Sequence, residues 1–122
     1  MGLIDSETWH LLGYTAWKLD DLENAEYAYR QSLNSPIQVS GRRPWYLYRM
    51  ASLLALTDRP EEALIFQEEA ARLNQYYLYQ DFLAVLYAQV GEYEKAQLAC
   101  EIAKTLAGQA EIELRCSLVI KK

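Results

Sequence analysis

The sequence predicts an all-α protein, an α-solenoid of three antiparallel helix pairs followed by a seventh, C-terminal capping helix. Two observations lead to this prediction: a motif recurs three times along the chain, and apolar residues recur at helical spacing in and before each copy. The chain has 122 residues and is 52% hydrophobic, which suits one globular domain.

Each copy of the motif begins with an acidic turn and carries an alanine soon after it. The three copies are DDLENAEYAYRQSL (20–33), DRPEEALIFQEEAARL (58–73) and GEYEKAQLACEIAKTL (91–106). Ala25, Ala63 and Ala96 mark the copies and lie 63 − 25 = 38 and 96 − 63 = 33 positions apart. A small residue follows each marker seven positions later: Ser32, Ala70 and Ala103. This spacing indicates an internal structural repeat.

These residues resemble the tetratricopeptide repeat (TPR), a helix–turn–helix unit of ~34 residues. Trp9, Leu12 and Gly13 follow the family's W-x-x-L-G spacing, and Ala25 and Tyr29 fall at its small and aromatic positions. Gln67 and Cys100 depart from the aromatic position in the second and third repeats. The resemblance implies a single TPR-like domain over 1–122, with repeats at 6–36, 44–75 and 77–108 and a capping helix at 109–121.

The predicted helices lie at roughly 6–19, 22–35, 44–57, 60–74, 77–90 and 93–107, and Gly108 is expected to end the sixth. The predicted seventh helix carries an apolar stripe of Ile112, Cys116 and Val119 or Ile120. Because the end of a solenoid exposes an apolar face, we expect this helix to cover it.

Small residues are expected where the two helices of a pair approach each other. Gly13, Ala51 and Ala84 occupy this position on the first helices. Their larger neighbours Leu12, Met50 and Leu83 are expected to fill the space between helices, at the spacing of a buried face.

The 38-residue spacing marks an insertion, NSPIQVSGRRP (34–44), which is longer than a standard linker. Long loops can carry function, but extra loop length also costs little free energy. Both interpretations stay open for this loop, and Arg42 and Arg43 are candidate residues at the rim of a binding site.

Charge and composition disfavour several functional classes. Twelve basic and seventeen acidic residues give a net charge of −5, which disfavours nucleic-acid binding. No apolar run approaches the ~18 residues of a membrane span, and the N-terminus has no signal-peptide pattern. Cys100 and Cys116 form no C-x-x-C pair, so we expect reduced thiols, a cytoplasmic location and a core-packing role for Cys100.

The sequence offers no arrangement of residues typical of an enzyme or a cofactor site. The one histidine, His10, has no neighbouring nucleophile and is expected to be a partly exposed helix residue. Two distant cysteines and one histidine do not have metal-ligand spacing, and the five glycines form no phosphate-binding loop. We therefore expect no enzymatic activity, no metal and no cofactor.

The TPR resemblance also implies a binding surface, because the first helices of successive repeats line the concave side of the solenoid. The positions that face ligands in TPR proteins map onto His10, Tyr14, Trp17, Lys18, Trp45, Tyr48, Ser52, Leu78, Asp81 and Val85. Tyr14, Trp17, Trp45 and Tyr48 are expected to form one aromatic patch, and exposed patches of this kind mark interaction sites.

The composition of these positions implies the kind of partner. A TPR groove of the carboxylate-clamp type uses Lys and Asn at several of them, and here only Lys18 fits. The expected partner is therefore a protein segment, extended or helical, with hydrophobic side chains. The architecture also resembles the small class II chaperones of bacterial type III secretion, which are acidic three-repeat proteins with a following C-terminal helix.

Two functions follow from these observations. The first is a protein-interaction module, with a small chaperone or an adaptor as its narrower form. The alternative is a structural subunit, or a fragment of a larger assembly, in which the aromatic patch mediates self-association into a homo-oligomer.

Overall fold

The computed structural model describes residues 3–108 and 113–120, which fold into adjacent helix pairs. The helices are α1 (Ser6–Lys18), α2 (Leu22–Asn34), α3 (Arg43–Leu56), α4 (Pro60–Leu73), α5 (Tyr77–Gln89), α6 (Tyr93–Ala107) and α7 (Arg115–Val119). The helices pack chiefly as α1 with α2, α3 with α4 and α5 with α6, in the order of a solenoid. The first six helices begin and end within one residue of their predicted bounds.

The helices of the first pair approach so closely that only glycine fits at position 13. A Cβ atom on Gly13 would lie 2.5 Å from Tyr29 Cδ1 and 3.2 Å from the carbonyl oxygen of Ala25. Ala51 and Ala84 occupy the same place in the next two pairs and are fully buried. The predicted role of small residues between paired helices is confirmed.

The larger neighbours of these small residues differ in burial. Met50 and Leu83 are 0% and 7% exposed, as predicted, but Leu12 is 49% exposed. The prediction for Leu12 is wrong because this position is buried by the preceding pair, and no helix precedes α1 within the described residues.

The inserted loop between α2 and α3 folds back over the beginning of α1. The Ser6 amide donates a hydrogen bond to the Ile37 carbonyl oxygen at 2.8 Å, and the Val39 amide donates to Ser6 Oγ at 2.8 Å. Ser35 Oγ also donates to the Ile4 carbonyl oxygen at 2.8 Å. These bonds give the loop a structural role, since they hold the chain that leads into α1 against the first pair.

Charged side chains link the first pair to the second. Arg30 on α2 donates to Glu26 Oε2 at 2.9 Å and to Glu62 Oε2, on α4, at 2.6 Å. Arg59, which precedes α4, donates to Glu26 as well, at 3.1 Å through Nη1. Because these groups are partly exposed, each pair contributes on the order of 1 kcal/mol or less, but the network fixes how the two pairs meet.

Helix α7 is shorter than the predicted capping helix and lies mainly against α5 rather than across α6. Of the predicted stripe, Cys116 is fully buried and Ile120 partly buried, whereas Val119 is 52% exposed. Ile112 lies outside the described residues, as do the other residues at 109–111 and 121. The helix therefore covers part of the first-helix side of the third pair.

The expectation of reduced cysteines is wrong in this structure. Cys100 on α6 and Cys116 on α7 form a disulfide with a Cα–Cα distance of 5.8 Å. Sixteen residues separate them in sequence, and the chain returns from the end of α6 to bring them together. Sequence spacing alone did not indicate this return.

Within the described residues, no helix is both long enough and apolar enough to cross a membrane.

Candidate partner-binding groove

The predicted groove residues Tyr14, Trp17, Trp45 and Tyr48 are all partly exposed, and we call them the aromatic face. The rings of Trp45 and Tyr48 are neighbours on α3, with centroids 5.3 Å apart. Arg49 joins α3 to α1, because its guanidinium carbon lies 4.6 Å from the Tyr14 ring centroid and 4.8 Å from that of Trp45. The first helices of two successive pairs thus contribute to one surface.

The aromatic contacts continue from α3 to α5. The Tyr48 ring centroid lies 5.6 Å from that of Tyr79 and 5.6 Å from that of Phe82, which it meets edge to face. Tyr79 and Phe82 are themselves buried. They pack against the inner side of the Tyr48 ring, so the packing of α3 against α5 holds this ring in place.

An open pocket of about 290 Å³ lies on the aromatic face. We call it the arginine pocket; its lining residues are Trp17, Trp45, Tyr48, Arg49 and Ser52. Ser52 Oγ donates a hydrogen bond to the Tyr48 carbonyl oxygen at 2.8 Å, which orients the hydroxyl along α3. The pocket combines three aromatic side chains with one cationic group and one hydroxyl.

His10 lies beneath the aromatic face instead of on it, and it is only 3% exposed. Its ring stacks on Tyr29 at 5.2 Å between centroids and lies 4.8 Å from the Tyr46 ring. Burial, together with the nearby Arg49 guanidinium, lowers the pKa of His10 to about 4, so the ring is neutral at pH 7. The expectation of a partly exposed helix residue is wrong.

Asp81, another predicted groove residue, is 3% exposed because the start of α7 covers it. Its Oδ1 accepts a hydrogen bond from the Cys116 amide at 2.8 Å, and its Oδ2 accepts one from the Arg115 amide at 3.1 Å. The Arg115 guanidinium carbon also lies 4.8 Å from the Phe82 ring centroid. The α5 end of the predicted groove is therefore occupied by this chain's own C-terminal segment.

The remaining predicted residues flank the aromatic face. Lys18 is exposed, with its ammonium nitrogen 5.7 Å from the Tyr14 ring centroid. Ser52 is partly exposed on α3, and Leu78 and Val85 are partly exposed on α5.

Both rim arginines form ion pairs. Arg42 Nε lies 3.3 Å from Glu7 Oε1, and Arg43 Nε lies 2.9 Å from Glu69 Oε2. Tyr46 is buried and donates its hydroxyl to Glu7 Oε1 at 2.6 Å. This hydrogen bond is the main reason why the pKa of Glu7 is lowered.

Arg49 is the residue that sequence reasoning missed. It falls between the ligand-facing positions implied by the TPR resemblance, because it follows Tyr48 directly. The available signal was its distance of four residues from Trp45, which places the two side chains on one helix face. An arginine next to a tryptophan on such a face is a common cation–π arrangement.

Comparisons with known proteins agree with this architecture. The tetratricopeptide repeat family model matches residues 6–35. No curated protein matches the chain. Thirty-four chains of solved structures match, among them one from the structure titled "CopN-Scc3 complex", with a TM-score of 0.75 and 18% sequence identity. The match covers 87% of the present chain and 61% of that one, so this chain spans less than two thirds of it. The family model thus matches the first helix pair, and the described residues as a whole have a TPR-like arrangement of helix pairs.

Proposed function

We propose that this chain is a protein-interaction module that holds an extended or helical segment of a partner protein against the aromatic face. The partner segment contributes hydrophobic side chains, which pack against Trp17, Trp45 and Tyr48. The module has no catalytic role in this proposal.

The observation that carries the proposal is the continuity of partly exposed rings across the first two pairs, at positions where TPR-like grooves hold ligands. Tyr and Trp supply large contact area with few rotatable bonds and are the residues most often found in binding hot spots. Since Tyr79 and Phe82 fix Tyr48 from below, part of this surface is ordered before a partner arrives.

The narrower form of the proposal is a small chaperone or adaptor that works in the cytoplasm. The match to a chain of the "CopN-Scc3 complex" supports partner binding by a chain of this fold, because that structure is by its title a complex. In the cytoplasm the Cys100–Cys116 disulfide would be reduced to two thiols, because cytosolic thiols are kept reduced.

Affinity capture from the native cell tests the proposal, with wild-type protein compared against a Trp45→Ala/Tyr48→Ala variant. We expect the wild type to retain a partner that the variant loses at least tenfold, because truncating buried aromatic anchors removes on the order of 2 kcal/mol or more of binding free energy. Circular dichroism must show that the variant is still helical. Ser52→Leu, which fills the arginine pocket without removing a ring, should weaken capture as well.

A Tyr93→Ala/Leu98→Ala variant is the matched control, since both residues are exposed on α6, away from the aromatic face. It should capture the partner as the wild type does. Equal capture by the Trp45→Ala/Tyr48→Ala protein would show that the partner binds elsewhere and would reject the groove assignment.

A second candidate function is self-association, and a different surface favours it. The outer side of α1 and α2 has an open groove of about 520 Å³. Around it Leu12, Leu19 and Tyr27 are 49%, 75% and 58% exposed. Since a preceding pair would cover this side in a longer solenoid, a second copy of the chain is its proposed occupant.

A further inference from the structure

Arg49 lies within the aromatic face, and no carboxylate of residues 3–108 and 113–120 pairs with it. Its guanidinium carbon is within cation–π range of two rings, at 4.6 Å from Tyr14 and 4.8 Å from Trp45. Aromatic faces hold the cation in place but are not strong hydrogen-bond acceptors. The guanidinium has five N–H donors, and no carboxylate of the described residues accepts a hydrogen bond from them.

The other arginines show how unusual this is within the described residues. Arg30, Arg42, Arg43, Arg59 and Arg115 each have a carboxylate oxygen at 3.4 Å or closer. Arg49 has none in the described part of the chain, although it is partly buried. Arg72 also lacks one there, but it is exposed at the end of α4, where water serves its donors.

The acids near the aromatic face are already used. Glu7 accepts the Tyr46 hydroxyl and pairs with Arg42, and Asp81 accepts two backbone amides and pairs with Arg115. The cations Lys18 and Arg49 have no such compensation among the described residues. The face is therefore locally positive in a chain whose net charge is −5.

The groups beneath Arg49 do not supply the missing anion. His10 is neutral at pH 7, and its Nδ1 has no hydrogen-bond partner among the described residues. Burial raises the pKa of Tyr29, so its hydroxyl also stays neutral. A partly buried cation over two neutral polar groups favours an anionic ligand from the solvent side.

We propose that the arginine pocket binds the side-chain carboxylate of a Glu or Asp that lies next to apolar residues in the partner segment. Arg49 receives the carboxylate through two parallel N–H bonds, and the neighbouring apolar side chain packs on Trp17, Trp45 and Tyr48. This inference rests on the proposed function, and it adds the charge of the ligand. The carboxylate belongs to a side chain and not to a chain terminus. A TPR clamp for a terminal carboxylate uses several Lys and Asn residues, and only Lys18 of that set is present.

Selection from a random twelve-residue peptide library displayed on phage tests this chemistry without a known partner. We expect enriched peptides to carry Glu or Asp within three residues of Leu, Phe or Trp. Synthetic copies, acetylated and amidated, are then titrated while the fluorescence of the tryptophans is followed. Replacing the peptide acid by Gln or Asn should weaken binding about tenfold or more, since charged hydrogen bonds are lost.

The Arg49→Gln variant should bind the acidic peptide about tenfold more weakly than the wild type does. It should bind the Gln-substituted peptide about as well as the wild type does, because two groups that contact each other lose their interaction only once. Arg49→Lys should fall between, since it keeps the charge and loses the planar fork. Arg72→Gln is the matched control and should bind as the wild type does.

The outcomes separate this inference from the proposed function. Peptides without acids that still lose binding in the Trp45→Ala/Tyr48→Ala variant would overturn the carboxylate assignment and leave the groove. Tighter binding of the same peptides with a free C-terminus than of their amidated copies would overturn it too, in favour of a terminal carboxylate. If no peptide is enriched, or if binding survives the double variant, then both proposals fail.

Discussion

At the scale of single residues, His10 shows how packing decides the protonation state of a group. The ring is enclosed by Tyr29 and Tyr46, and the two cations that face it, Arg49 and Arg42, disfavour a second positive charge. Glu7 acts in the opposite direction, but burial is the larger effect. The folded protein therefore holds His10 neutral, whereas the unfolded chain protonates it near its ordinary pKa of 6.5.

This difference predicts that acidification destabilises the protein well above the range in which its carboxylates titrate. Below pH 6.5 the unfolded state takes up a proton that the folded state, with a pKa of about 4 for His10, refuses. The contribution of neutral His10 to the free energy of unfolding is fully present above pH 6.5. About 2 kcal/mol of that free energy should be lost between pH 7 and pH 5. Urea unfolding at both pH values measures this loss.

The matched control for the pH experiment is His10→Phe, which keeps an aromatic ring between the two tyrosines and has no titrating group. Its free energy of unfolding should change little between pH 7 and pH 5. If the variant and the wild type lose stability equally over this range, then another group is responsible and His10 is not neutralised by burial.

The sequence predicted some residue environments and not others, for a physical reason. Small residues such as Gly13 follow a spacing rule, because two helix backbones must approach at the same place in every pair. His10 and Tyr46 obey no such rule. The His10 ring packs against Tyr29 and Tyr46, and the Tyr46 hydroxyl donates a hydrogen bond to Glu7. These contacts join residues that are distant in sequence. Arg49 was missed because the ligand-facing positions of other TPR grooves do not include it, and its contacts with the Tyr14 and Trp45 rings are particular to this chain.

At the scale of helices, α7 is the element that sequence reasoning placed least well. Five residues are too few to form a stable helix alone, so its existence depends on tertiary contacts. Those contacts are the Cys100–Cys116 disulfide and the hydrogen bonds from its first amides to Asp81. The periodic apolar pattern predicted a longer helix. Such a pattern does not indicate a covalent link to α6, which is one of the contacts that hold α7.

Opening the disulfide should loosen α7 and leave the helix pairs folded. Closing a loop of this length stabilises the closed state by about 3 kcal/mol. In the Cys116→Ser variant, or after reduction by a dithiol, we expect backbone amides of residues 114–118 to exchange hydrogen at least tenfold faster. Amides of α3 and α4 should keep their protection, which hydrogen-exchange mass spectrometry resolves by segment.

Ser117→Ala is the matched control for α7, because Ser117 is exposed and its side chain makes no hydrogen bond within the described residues. Unchanged exchange in the Cys116→Ser protein would mean that the Asp81 contacts suffice to hold the helix. Alkylation of the protein straight from cell extract shows whether the thiols are free there, as a cytoplasmic location requires.

At the scale of the whole molecule, the repeat made the fold predictable, and the ends of the solenoid were harder to predict. Within the chain, each pair buries the next, so the same apolar position recurs and the register can be read from sequence. Met50 and Leu83 are buried by this rule, whereas Leu12 is not, because no pair precedes it among the described residues. The surface at the first pair is therefore apolar for architectural reasons.

That surface leads to the last prediction, that the chain self-associates through the outer side of α1 and α2. Leu12 and Tyr27 should contact a second copy, and Leu12→Glu/Tyr27→Glu should be monomeric at concentrations where the wild type dimerises, as measured by sedimentation velocity. Ile65→Glu is the matched control, since Ile65 is 66% exposed at the equivalent place on α4. Salt should strengthen the wild-type dimer, because Asp21 lines the groove and would repel the acidic groups of the second copy. A wild type that sediments as a monomer at every concentration would leave the aromatic face as the main binding surface of this protein.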